Sequence, residues 1–131
     1  RIDSNAIPSK VKEAFESALK VKGIDKSICL MALRRTLELI LIEKGATKWS
    51  LKDKIEEVAD KGLLPDTLRE ASSIAKMFGD SATHGRDLEI NQHDVDSMTE
   101  FIQYIIEFLY VLPDKISSYK ERLSDKNEGN A

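Results

Sequence analysis

The chain has 131 residues, 41% apolar and 33% charged, with a formal charge of −3. That length suits one domain around one hydrophobic core, and that composition belongs to a globular chain, not a disordered one. The net charge gives no basic footprint for nucleic acid, no apolar run reaches the roughly 20 residues of a membrane span, and the lone Cys29 cannot form an internal disulfide.

These exclusions predict a cytoplasmic protein without a membrane partner, and no signal peptide is visible. The chain begins at Arg1, which is compatible with a fragment of a longer protein. Charge is uneven along it: residues 63–112 carry 3 cationic and 9 anionic side chains, while the other stretches are near balance. The acidic excess therefore sits with both histidines.

Five helical segments follow from spacing and punctuation. The first spans about Ser9 to Lys22, with Val11, Ala14, Phe15, Ala18 and Leu19 on one face and Gly23 as its stop. The second spans about Asp25 to Lys44. Its apolar residues, Ile28 through Leu41, wrap most of the circumference, which predicts a central helix. The third spans about Ser50 to Lys61, where Ser50 and Asp53 have capping-box spacing and Trp49 is expected to pack over the start.

The fourth begins near Pro65 and carries Leu68, Ala71, Ile74, Ala75 and Phe78. Gly79 is expected to interrupt it, leaving Asp80 to Gln92 as a polar loop. The fifth runs from Asn91 or Asp94 to Leu112, with Asp94 and Asp96 suited to the positive end of its dipole. Phe108, Tyr110 and Val111 lie off its main stripe, an excess of apolar surface that suggests a partner helix. Pro113 is expected to break it, with a turn or two continuing to Leu123. The reading is one helical domain over 1–131, its core at 9–123 and a flexible tail at 124–131.

Three features could carry chemistry. His84, between Gly79 and Gly85, is either a capping residue in a polar loop or a general acid–base, since imidazole titrates near pH 6.5. Arg34 and Glu38 are four apart and can meet on one helix face, while Arg35 could reach the start of the histidine loop. Arg34, Arg35, Glu38, Asp80 and His84 thus form either exposed ion pairs or a structural polar cluster. Asp80, His84, Asp87, His93, Asp94 and Asp96 fall in one stretch, but no pair has the spacing of a metal site, so neither metal nor cofactor is expected.

The run ALRRTLELILIEKG, then LKDKIEEVADKGLL, then AKMFGDSATHG, then a long apolar helix closing in EFLYVLP, resembles the family called domain of unknown function 4145, which looks HEPN-like. The resemblance covers roughly residues 10–116. It implies an all-α, HEPN-like bundle of about five helices, often dimeric, found beside restriction and other prokaryotic defence modules or alone.

Many HEPN proteins are metal-independent ribonucleases whose motif places an Arg, a polar residue and a His within about six positions. This chain departs from it. Five residues before His84 stands Gly79, Lys76 stands eight before, where the family tends to carry Arg, and Arg86 is two after.

The surrounding carboxylates oppose RNA, whose binding is driven by Lys and Arg. The expectation is therefore a non-catalytic interaction and dimerisation module, a homodimer through apolar helix faces, associated with a defence or nucleic-acid-processing system. The alternative is an endoribonuclease using His84 with Arg34, Arg35 or Arg86, with RNA the less favoured partner. A small-molecule sensor is a third reading.

Overall fold

The computed structural model describes residues 4–85 and 89–129. They form an all-α bundle: α1 (Ser9–Val21), α2 (Lys26–Glu43), α3 (Leu51–Asp60), α4 (Asp66–His84), α5 (Gln92–Ile106), a π-helical segment (Glu107–Val111) and α6 (Leu112–Gly129).

α2 is the central helix, packed by α1, α3, α4 and α5. Leu30, Leu33, Leu37, Ile40 and Leu41 are almost wholly buried and meet Val11 and Phe15 of α1, Ile55 and Val58 of α3, and Val95, Ile102 and Ile105 of α5 in one core cluster. Such burial contributes about 1.5–3 kcal/mol per large apolar side chain, enough to fix the bundle.

Side chains at the helix starts define the entry points. Asp25 accepts from the Ile28 amide and Ser50 from the Asp53 amide, each satisfying an orphan donor of a first turn. Asn91 and Asp94 form a reciprocal capping box at α5, both bonds 3.0 Å. Cys29 is a core residue whose thiol donates to the Ala18 carbonyl, and burial pushes its pKa up, away from a reactive thiolate.

Several sequence expectations are corrected here. α4 does not stop at Gly79; it runs through to His84 and ends at Gly85, whose φ of 61° is the left-handed cap. The core-facing stripe of α4 is built of small residues, Ser72, Ala75 and Gly79, whereas Ile74 lies 40% exposed. Trp49 is 95% exposed and covers nothing.

Pro113 does not break the last helix. A proline cannot donate to the carbonyl four residues back, and its ring crowds that carbonyl. The preceding π-helical segment widens the turn, with the Leu112 amide bonding the Glu107 carbonyl, and the chain passes Pro113 still helical. Residues 124–129, expected as a tail, continue α6 to Gly129.

Candidate functional site

Two regions hold the side chains with chemistry: a polar cluster between α2 and α4, and the surface of α6.

The polar cluster follows from close helix approach. Small residues on α4 let it lie near α2. Gly79 is the closest point, where an added Cβ would sit 2.6 Å from Arg34 Cβ and 2.9 Å from its Cδ. The Arg34 stem therefore lies across Gly79, and its Nε donates to Asp80 Oδ1 at 2.7 Å. Lys76 Nζ, one turn earlier, donates to Asp80 Oδ2.

Partial burial alone would raise the Asp80 carboxyl. The hydrogen bonds and charges of Lys76 and Arg34 outweigh it and hold the pKa below the ordinary carboxylate value. One carboxylate thus binds two cations at a half-buried site and ties α2 to α4.

The expected members divide. Arg34 and Asp80 are joined. Arg34 does not pair with Glu38; Arg35 does, at 2.9 Å, with the arginine side chain 61% exposed. Arg35 thus lies apart from Asp80 in a separate surface pair.

His84 shares the α4 face of Lys76 and Asp80 at four-residue steps, but it is exposed, and among the described residues no group hydrogen-bonds to it. Arg86 and Asp87 lie outside the described residues. The sequence reading omitted Lys76 from the cluster, although its four-residue spacing to Asp80 was a usable signal once helix is assumed through Gly79.

The remaining clusters are local. Among the described residues no three His, Cys, Asp or Glu side chains gather as metal ligands. Glu57 accepts from the Lys48 amide and from the amide and hydroxyl of Thr47, which together hold its pKa near 2. It serves as the anchor of the α2–α3 loop. Tyr110 donates to Glu43 at 2.6 Å with Lys44 over its ring. Burial, then the hydrogen bond to Glu43 and that carboxylate's charge, push the phenol's pKa up. Tyr110 is thereby a core residue, not part of an apolar surplus.

Exposed large apolar side chains occur elsewhere, Ile24 and Trp49 among them, while α6 carries a row of them. None of its 18 residues is buried. Leu112, Ile116, Tyr119 and Leu123 fall on one side, between 47% and 60% exposed. At its start this seam faces the α3–α4 turn across an open groove of about 670 Å³, bordered by Lys44, Leu63, Phe108 and Lys120. Among the described residues no helix is long and apolar enough to cross a membrane.

The profile of the family described as domain of unknown function (DUF4145) matches residues 4–123. No curated protein and no solved structure matches the chain.

Proposed function

The chain belongs to the DUF4145 family, and from that premise we propose that it is a non-catalytic, HEPN-like helical interaction module, working in the cytoplasm with a prokaryotic defence or nucleic-acid-processing system. The observation that carries this reading is α6: an amphipathic helix of 18 residues that buries none of its own side chains. α6 continues α5 and the π-helical segment without a break, so it needs no new nucleus, but its apolar face lacks the packing from which most helical stability in proteins comes. A partner supplies that packing.

The α2–α4 cluster supports the same reading. A phosphate-binding site needs free cations, and Arg34 and Lys76 are both engaged by Asp80. The role assigned to Arg34, Asp80 and Lys76 is structural. Arg35 and Glu38 form a surface pair, and His84 belongs to the same polar face without a bonding partner among the described residues.

A photo-reactive residue tests the reading directly. Placed at Tyr119 in the full chain, it is expected to give protein adducts in cells, while the same residue at Glu121 on the opposite side gives none. Adducts at neither position, or equally at both, contradict it.

One observation favours a second reading, a metal-independent endoribonuclease. Lys76, Asp80 and His84 recur along one face of α4 at four-residue steps, so an imidazole shares a helix face with a carboxylate that holds two cations. Here His84 would move the proton and a cation would stabilise the phosphate charge. RNA cleavage by the full chain in chelator, abolished in His84→Ala, is the expected result of that reading. Equal activity in both proteins, or none in either, removes it.

A further inference from the structure

α6 carries eight charged side chains, and they are sorted around the helix axis. The apolar positions Leu112, Ile116, Tyr119 and Leu123 follow at steps of four, three and four residues, the seam of a two-helix contact. With the turn of an α-helix, Lys115, Lys120, Arg122 and Lys126 all fall within about 90° of that seam. Asp114, Glu121, Asp125 and Glu128 all fall on the far side. The groove continuing the seam repeats the pattern: Lys44 and Lys120 border it, and among the described residues no carboxylate lines it.

This distribution selects the occupant. Two copies of α6 laid seam to seam, parallel or antiparallel, bring a row of cations against a row of cations, which opposes pairing. A bilayer with anionic lipids would attract the cations, but the apolar positions span only about 60°, the narrow stripe of a helix–helix contact. A planar surface also does not enter the groove beside Leu63. A helix with an apolar seam and acidic borders fits both features: its side chains fill seam and groove, and its carboxylates meet the Lys and Arg rows.

We infer that α6 and its groove dock an amphipathic helix of another protein whose apolar seam is bordered by Asp or Glu. The inference rests on the interaction-module reading and gives the chemistry of the partner.

The test uses the full chain and two designed heptad-repeat peptides with the same Ile/Leu seam, one flanked by Glu and one by Lys, followed by fluorescence anisotropy. The Glu-flanked peptide is expected to bind with micromolar affinity that weakens in high salt, and the Lys-flanked peptide at least about tenfold more weakly. Ile116→Asp is expected to abolish binding, and Lys120→Glu with Arg122→Glu to invert the preference. These side chains are exposed, so circular dichroism is expected to show unchanged folding in each variant.

Equal binding of the two peptides, or binding of neither, overturns the inference. So does seam-dependent self-association in sedimentation, or displacement of the Glu-flanked peptide by phosphatidylserine vesicles. Those last two outcomes leave the interaction module standing with a different occupant. No α6-dependent association of any kind, together with RNA cleavage that needs His84, brings down both.

Discussion

At Gly79 a single hydrogen atom in place of a methyl group decides how near α4 can lie to α2. Replacing glycine by alanine in a helix interior ordinarily stabilises by up to about 1 kcal/mol. Here the new Cβ meets the Arg34 stem at 2.6 Å, and overpacking of that kind costs about 1–3 kcal/mol. Gly79→Ala is therefore expected to lower the urea midpoint without changing the slope. Gly23→Ala, where an added Cβ meets nothing within 4 Å, serves as the control and is expected to leave the midpoint nearly unchanged.

Asp80 and Glu57 make the fold acid-sensitive in the same direction. Both carboxyls are held below their ordinary values in the fold, so each contributes stability above its unfolded pKa and loses that contribution as pH falls through its folded value. For Glu57 the window runs from about 4.5 down to about 2. The Thr47 and Lys48 amides are expected to lose hydrogen-exchange protection across it, and retention of protection at the acid end would contradict the assignment. Asp80→Asn is expected to cost about 1–2 kcal/mol at neutral pH, between the values of exposed and buried pairs. It should also remove part of the acid dependence of unfolding.

Residue type and spacing made part of this visible in the sequence. Arg34 and Asp80 could be named as charged groups in or beside apolar helices. Their contact spans 46 positions, and no local pattern encodes it. Four-residue spacing pairs Arg34 with Glu38 and so gives that reach to Arg35 instead. Glycine does end helices when it takes a positive φ, as Gly85 does. Gly79 instead answers to a neighbour's bulk, a tertiary reason that composition cannot reveal.

Among the elements, α2 and α6 are opposites. α2 was legible as the central helix because its apolar residues surround it, and the structure buries seven of its side chains. For α6, Pro113 in the sequence predicts a break, with a turn or two beyond it and then a tail. The π-helical segment before Pro113 accommodates the missing donor, an adjustment that residue propensities do not announce.

Because α6 buries nothing of its own, truncation after Pro113 is expected to leave the unfolding free energy of the bundle within about 0.5 kcal/mol of the full chain. A larger loss in calorimetry would mean that α6 packs against the bundle in the isolated protein. Ile116→Asp and Leu123→Asp are likewise expected to be neutral for folding while affecting association.

For the whole molecule, the division of labour is physical. Apolar burial around α2 makes the bundle, and Arg34, Lys76 and Asp80 tie α4 to α2. Among the described residues, α6 presents a row of exposed apolar side chains bordered by cations, without a partner in the bundle. The all-α class and its single core followed from periodicity alone, whereas the location of the free surface required knowing which apolar residues the core consumes. Tyr110 is consumed by Glu43 and burial; Leu112, Ile116, Tyr119 and Leu123 are not.

The measurement closest to this claim is native-state hydrogen exchange on the full chain, alone and with the Glu-flanked helical peptide. Alone, the α6 amides are expected to exchange far faster than those of α2, because helix without packing opens locally. With the peptide, protection should rise across residues 108–123 and change little around Lys76 to His84. An α6 as protected as α2 in the free monomer, or protection appearing at Lys76, Asp80 and His84 instead, would contradict the account.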